Sequence, residues 1–447
     1  MNARLLPLVA SLSLLVSLPS RAESLMHWFE AARAYDAGYR SAKALVQANE
    51  RRADQAQAGL RPSVNLSLGV NKSQTGLIPD GPAQASVAAD RDYGSSSATL
   101  SAAQPLYRPA NRRTADIAEL QRQQAQLQLQ AAEQDLMIRV TQAYFDVLAS
   151  QDTLTFVRAQ KQSVTEQLAS AKRNFEVGTA TITDTREAQA RFDLVLAQEI
   201  AAENDVRVKQ LALDQLVGQA QAKPNRLQTQ AALASLNTQP ENEWVNLALT
   251  RQTGVIKARL DLQIAKQEVD KAKAANWPTL DLQATSNATH FVNGSASSAT
   301  LSAKSITNTL GLVMNYPLYA GGAITARSLE TAALLNKAEA DLQAMERNAT
   351  QSTRATYYAL QSVLAQVKAL EAAEQSSQVA LDANKLGYSV GVRINIDVLN
   401  AQSQLFDTKA KLAKARYDVI LTTLKLKLAA GVLSVQDIEA INRLIAS

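Results

Sequence analysis

The residues of this chain that could do chemistry fall at matched places in two halves. Asp184 corresponds to Asp397, at an offset of 213 residues (397 less 184). The same offset carries Phe175-Glu176-Val177-Gly178 onto Tyr388-Ser389-Val390-Gly391, and Ala188-Gln189 onto Ala401-Gln402. It also carries Gly218 onto Gly431 and Tyr144-Phe145 onto Tyr357-Tyr358. Thr183, Asp184 and Asp397 stand where long helical patterns begin, and such short oxygen-bearing side chains are favoured helix caps. The halves also differ, with Ala180 in the first where the second has Arg393. Asn400 lies three residues beyond Asp397 and shares its helix face. Chemistry is to be sought where two near-identical helix ends diverge.

Catalysis has little footing. His27 and His290 are the two histidines and sit in different regions, and cysteine is absent. Neither a disulfide, a thiolate metal site nor a cysteine-borne lipid anchor is therefore available. No Gly-rich phosphate loop, nucleophile elbow or ligand cluster appears. Gly321-Gly322 reads as a strand-to-helix turn, and the Asn293-Gly294-Ser295 sequon carries no weight in a bacterial-type secreted protein. No enzyme activity, cofactor or metal is expected. A net charge of +5 without a basic, aromatic-interleaved stripe gives no sign of nucleic acid.

The elements that must position these residues are long. Residues 110–177, 179–217, 323–386 and 392–430 contain neither Gly nor Pro. Those two residues punctuate helices, so four uninterrupted helices are expected, paired long-short and long-short across the repeat. Leu136, Val140, Ala143 and Val147 recur at helical spacing, and Leu405, Leu412, Val419 and Leu426 recur every seventh residue. Coiled-coil packing in a helical barrel or bundle follows. An aromatic fraction of 5%, beside abundant Ala, Gln and Leu, suits long helices packed by small residues.

Four segments instead alternate with period two: about 62–76, 94–105, 278–292 and 304–317. In the first, Val64, Leu66, Leu68 and Val70 alternate with Ser63, Asn65, Ser67 and Gly69. Such strands suit a barrel wall with lipid outside and water inside, or an ordinary half-buried sheet. Pro62, Pro105, Pro278 and Pro317 mark the strand–helix junctions, and Trp277, Tyr107, Tyr316 and Tyr319 crowd the same places. Interfacial aromatics favour the headgroup level, which puts the junctions at one membrane face and the loops 77–93 and 293–304 at the other. Four strands fall short of the ~8 that close a small barrel, so other copies must complete the wall.

The N-terminus carries an address. Arg4 precedes the apolar run Leu5 to Leu18, and Ser20-Arg21-Ala22 ends it in a small-x-small pattern. Residues 1–22 read as a secretory signal, the alternative being a short membrane anchor, although the run is too short to span. A first repeat then covers 23–218 and a second 244–431. The polar segment 219–243, bracketed by Lys223-Pro224 and Gln239-Pro240, separates them. Residues 432–447 add a short helix beginning at Ser434 that packs with that segment beside the long helices.

Together these features resemble the TolC family of outer-membrane channel-tunnel proteins. The likeness is sharpest at Gly387-Tyr-Ser-Val-Gly-Val-Arg-Ile-Asn-Ile-Asp-Val-Leu-Asn-Ala-Gln402 and at Phe175-Glu-Val-Gly-Thr-Ala-Thr-Ile-Thr-Asp184. Ala415-Arg-Tyr417 and Tyr316-Pro-Leu-Tyr-Ala-Gly-Gly322 also resemble family signatures. The resemblance implies a mostly α protein with membrane β: a duplicated repeat giving four transmembrane strands per chain and long periplasmic coiled-coil helices. Three copies would complete a β-barrel and an α-helical tunnel in the outer membrane of a Gram-negative cell. It implies docking onto a periplasmic adaptor and an inner-membrane ABC exporter or proton-driven pump.

The resemblance also assigns roles. Thr183 and Asp184 match gate links on the first repeat, and Tyr388 and Arg393 match their partners on the second. Charge-assisted bonds there are worth ~1.5–3 kcal/mol each when shielded from water. Asp397 matches an aspartate ring at the tunnel's narrowest point, and Asn400 stands where the best-known member type has a second aspartate. The leading function is an export channel: type I protein secretion first, small-molecule efflux second. The absent lipid-anchor cysteine and the run Asp397-Val-Leu-Asn-Ala-Gln402 favour secretion. A non-conducting coiled-coil envelope protein is the remaining alternative.

One carboxylate ring at the entrance, rather than two, weakens cation attraction and divalent block. Asn400→Asp is therefore expected to raise cation preference, read as a shifted reversal potential under a salt gradient across a planar bilayer. An unchanged reversal potential would refute this reading of the entrance.

Overall fold

Each half of the chain runs as a helix pair, a strand hairpin, a very long helix and a shorter one. The first half comprises α1 (Leu25–Tyr35), α2 (Ala37–Ala58), β1 (Ser63–Thr75), β2 (Arg91–Tyr107), α3 (Pro109–Glu176) and α4 (Ile182–Val217). The second comprises α5 (Glu241–Arg251), α6 (Thr253–Ala274), β3 (Thr279–Val292), β4 (Lys304–Asn315), α7 (Ala323–Ser389) and α8 (Asn395–Ala429), followed by α9 (Val435–Asn442). This computed structural model describes residues 24–76, 91–220, 223–225, 239–293 and 303–443. The signal segment, most of both hairpin loops, most of the 219–243 segment and the last four residues lie outside the described residues.

α3 and α7 have 68 and 67 residues, so each extends about 100 Å at ~1.5 Å per residue. Pro109 opens α3 at a position where its missing N–H is harmless. Both long helices end at a glycine with positive φ, 79° at Gly178 and 80° at Gly391. The turns that follow are bonded alike. Thr179 and Ala180 donate their N–H groups to the Asn174 carbonyl, and Val392 and Arg393 donate theirs to the Gly387 carbonyl. The sequence repeat is thus a repeat of helix-ending chemistry.

The helix pairs are bent rather than continuous, a break that the repeat does not announce. Asp36 closes α1 and accepts the Tyr39 N–H at 2.7 Å to open α2. Gln252 does the same between α5 and α6, accepting from the Val255 N–H at 3.1 Å. Each bend rests on the glycine ending the last long helix of its own half: Tyr35 covers Gly218, and the Arg251–Gln252 backbone covers Gly431. Burial alone would raise the Asp36 carboxyl, but bonds from Arg139 and the Tyr39 and Gly38 N–H groups outweigh it and hold it below the usual range.

The main core lies around the middle of α3. Leu136, Val140, Tyr144, Phe145 and Val147 are fully buried there. The seven-residue series Leu405, Leu412, Val419 and Leu426 is buried along α8. Phe145 stacks on Tyr417 with ring centres 5.3 Å apart, and the Tyr417 hydroxyl donates to Asp152 at 2.7 Å. The Tyr144 hydroxyl donates to the Asn225 carbonyl at 2.8 Å, and burial pushes its phenol far above the usual range. Its repeat partners fare differently: Tyr357 is only partly buried and Tyr358 is 58% exposed. α3 packs against α1, α2, α4, α6 and α8, whereas α7 packs against α5, α6 and α8. α7 leaves Leu329, Leu334, Val379 and Leu386 exposed, and α4 leaves Leu194, Ile200 and Leu211 exposed.

The four strands form one antiparallel sheet in the order β1-β2-β3-β4. Register places Val64, Leu66, Leu68 and Val70 on one face with Leu100, Ala284, Leu310 and Leu312. The other face carries Asn65, Ser67, Thr99, Ser101, Gln283, Thr285, Asn287 and Thr309. Pro105 departs from the junction role expected of it. β2 continues to Tyr107, and the register shifts between Pro105 and Tyr107. Lacking an N–H, a proline inside a strand is accommodated at such an irregularity.

The glycines ending the long helices differ in surroundings. A Cβ on Gly431 would lie 2.4 Å from backbone atoms of Arg251 and Gln252, whereas one on Gly178 meets nothing within 4 Å. Gly178→Ala should therefore cost only the ~1–2 kcal/mol of a left-handed residue. Gly431→Ala should cost upwards of ~3 kcal/mol, because packed backbone cannot yield. Thermal unfolding followed by helical circular dichroism checks the ranking, and equal losses would contradict it.

Candidate channel wall and gate

The wall begins at the sheet. Its polar face is lined by hydroxyl and amide groups, with Thr99 donating to Asn287 at 3.3 Å and Ser101 to the Asn65 carbonyl at 3.4 Å. At its helix-proximal end Arg108 grips Asp281 through two bonds, Nε to Oδ1 at 2.8 Å and a terminal nitrogen to Oδ2 at 2.6 Å. Asp281 is buried, and this paired bidentate arrangement is what makes an ionised group tolerable there. Around the same end Pro62 and Pro278 directly precede β1 and β3, and Pro317 follows β4. Trp277, Tyr107, Tyr316 and Tyr319 are all exposed beside them, Tyr319 at 89%. An exposed aromatic set next to an outward apolar strand face is what a membrane–water boundary stabilises.

The far end of the helices is built from two hairpin tips. In the first, Thr181 caps α4: its hydroxyl accepts the Asp184 N–H at 3.2 Å, while the Asp184 carboxylate accepts the Thr181 N–H at 2.9 Å and its hydroxyl at 2.8 Å. Thr183 stands exposed beside them. In the second tip, Arg393 pairs with Asp397 at 3.6 Å, one turn apart at the start of α8. Gly387 makes room for that arginine, since a Cβ there would lie 2.6 Å from the Arg393 Cγ. No ion pair joins Asp184 to Arg393 within the chain. Tyr388 packs against Leu381, Val398 and Leu405, and its hydroxyl accepts from the Asn174 amide at 3.4 Å. Asn400 faces outward from α8 on a groove between α3, α4 and α8 that also holds Arg191, Asp205 and Asp407.

The two tips are joined by a residue to which the sequence assigned no role. Asn395 is fully buried at the start of α8. Its carbonyl oxygen accepts from the Gln167 amide of α3 at 2.5 Å, and its own amide donates to the Asp184 carbonyl of α4 at 3.2 Å. Both ends of one amide are thus spent on the opposite hairpin. Beneath it, Leu399 of α8 inserts among Val164, Leu168, Ala171, Ala188 and Val195 of the first hairpin. The repeat partner of Asn395 is Ile182, which is half exposed. A polar residue in one repeat against an apolar one in the other was the available signal.

An amphipathic four-stranded wall, helices of about 100 Å and interlocked tips suit a conduit. Comparison with known proteins agrees. The profile described as outer membrane efflux protein matches residues 28–219 and 244–432. The chain belongs to the outer membrane efflux protein family. Within this TolC family, it is 33% identical over 442 residues to outer membrane protein TolC of Vibrio cholerae serotype O1, covering 98% of each chain. It is 32% identical over 360 residues to the alkaline protease secretion protein AprF of Pseudomonas aeruginosa, covering 79% of this chain and 73% of that one. The crystal structure of outer membrane protein VceC from Vibrio cholerae superposes with a TM-score of 0.76 at 20% identity, over 91% of this chain and 96% of that one.

As a member of the outer membrane efflux protein family, the protein is an outer-membrane exit duct of a tripartite export system, with its helical tunnel in the periplasm. Its fold is that of the trimeric channels, a shared β-barrel continued by an α-helical tunnel. The family is one of channel proteins.

Asn395→Leu keeps the side-chain size and removes both amide bonds. Leaving Gln167 and the Asp184 carbonyl without their partner should cost ~1–3 kcal/mol at the tip. The expected outcome in planar bilayers is a larger or more frequently open single-channel conductance, with unchanged assembly of the trimer. Conductance identical to the unaltered channel would remove Asn395 from the lock.

Proposed function

We propose that this exit duct serves type I protein secretion, receiving an unfolded polypeptide from an inner-membrane ABC exporter through a periplasmic adaptor. The observation that carries this reading is similarity to a protease secretion protein along 79% of the chain. The wall supports it. Its polar face offers small hydroxyl and amide groups, which give a passing chain neither a broad apolar surface nor a field of fixed charge.

In this reading the gate is completed between protomers. Arg393, whose side chain is 59% exposed, exchanges Asp397 for groups on a neighbouring first hairpin, Thr183 and Asp184 among them. Tyr388 steadies the second hairpin on its own chain. Asp397 and Asn400 form the entrance rings. The exposed apolar residues of α4 and α7 pack against each other around the trimer. Residues 23–218 and 244–431 act as structural repeats, with 219–243 and 432–447 forming a belt at mid-helix. α9 supports that placement, its Asn442 accepting from the Met26 N–H at 3.5 Å.

The second reading is small-molecule efflux with a proton-driven or ABC pump, favoured by the description of the matching family. Cross-linking growing cells, purifying the protein and identifying the inner-membrane components held with it separates the two. An ABC exporter with its adaptor, and no proton-driven pump, is the expected result. A proton-driven pump alone would overturn secretion in favour of efflux, and both together would make the protein a shared exit.

A further inference from the structure

Toward the loop end of the apolar face one row carries both a histidine and a lysine. Val70, Ser96, His290 and Lys304 lie side by side across all four strands. In the adjacent row toward the helices stand Leu68, Ala98, Ala288 and Ile306. Because Ser96, Ala98 and Ala288 are small, the two rows enclose a groove of about 560 Å³ between the β1 side chains and Ile306. Lys304 and His290 form its outer rim. The His290 Nδ1 is buried with no hydrogen-bond partner. Lys304 is exposed and has no ion pair among the described residues, whereas the neighbouring cation Lys72 is held by Asp92 at 3.0 Å.

The height of this row decides what meets it. His290 stands ten residues along β3 from Leu280, beside the aromatic junction. At ~3.3 Å per residue and a strand tilt of ~40°, that is about 25 Å, the height of the apolar band of an outer-membrane barrel. With the junctions at the periplasmic boundary, Lys304 and His290 reach the outer headgroup level and the groove runs down among the outer-leaflet chains. A cation there meets an anionic headgroup, and small residues below leave room that a wall of Leu and Val would not.

We propose that this groove is a specific site for a phosphorylated, acylated glycolipid of the outer leaflet, of the lipopolysaccharide class. One acyl chain lies over Ser96, Ala98 and Ala288, and a lipid phosphate accepts hydrogen bonds from Lys304 and His290. Charge complementarity at the rim and the level of the row in the bilayer select this lipid over inner-leaflet phospholipid. The site spans one protomer's four strands, from edge strand β1 to edge strand β4, so each copy in the trimer carries one.

Native mass spectrometry of the purified full-length trimer in detergent tests this, with bisphosphorylated lipid A, its dephosphorylated form and phosphatidylglycerol as probes. Bisphosphorylated lipid A should be retained at least tenfold better than the other two. The double substitution Lys304→Gln, His290→Gln should remove most of that advantage, and the groove-filling pair Ala98→Leu, Ala288→Leu should lower retention with the charges intact. Single-channel conductance should be unchanged in both variants. Equal retention of the three lipids overturns the proposal, as does unaltered lipid A binding in either variant that assembles.

Discussion

An open strand edge cannot stand in hydrocarbon, and the rest of this protein depends on that constraint. Each unpaired N–H or C=O in a bilayer costs several kcal/mol, and nothing in the lipid can satisfy it. One chain supplies a sheet whose edges, β1 and β4, lack partners. Closure must come from neighbouring copies joined head to tail in a ring. In the proposed trimer α4 of one copy faces α7 of the next. The exposed Leu194, Ile200 and Leu211 on one side, and Leu329, Val379 and Leu386 on the other, fit that arrangement.

The second constraint concerns helix length. A helix of about 100 Å is unstable alone and must be supported along its whole course. α3 is supported by α2 and α6 toward the sheet and by α4 and α8 toward the tips. The bends at Asp36 and Gln252 let the short helix pairs turn onto the core at mid-length, where the Gly218 and Gly431 ends receive them. The tips are held differently. Their contacts are a small apolar cluster around Leu399 and the two amide bonds of Asn395. Fewer buried apolar contacts than at mid-helix mean a lower local stability there.

Much of this architecture was legible because its signals are local. Gly178, Gly218, Gly391 and Gly431 all adopt positive φ, so a glycine just past the C-terminal end of each long helix marks its boundary directly. Alternation in β1 and β4 showed both faces, since period two is a geometric property of any strand. Other features were not local. Asp281 reads as one polar residue among several, and its pairing with Arg108 appears only when β3 lies beside β2. Asn395 reads as one polar residue at the start of a long helical run, and its role depends on Gln167, which is 228 residues away. Pro105 signalled a strand end, yet backbone pairing continued past it because a register shift absorbed the missing donor.

By itself the sequence determined the duplication, the four long helices, the four two-faced strands and the need for more than one copy. These follow from short-range sterics, from periodicity and from the cost of open edges in lipid. Only the tertiary structure decided which half of the duplication became the buried centre. Tyr144-Phe145 and Tyr357-Tyr358 are nearly the same residues, but α3 packs against α1, α2, α4, α6 and α8 and α7 against α5, α6 and α8, so the first pair is fully buried while Tyr357 is half-buried and Tyr358 exposed. It also decided that the Asp184 carbonyl, beside the local capping box its side chain forms with Thr181, accepts from Asn395, because that bond depends on where the second hairpin sits against the first. Equivalent residues acquire different work when the chain folds, since burial and partners belong to the arrangement and not to the residue.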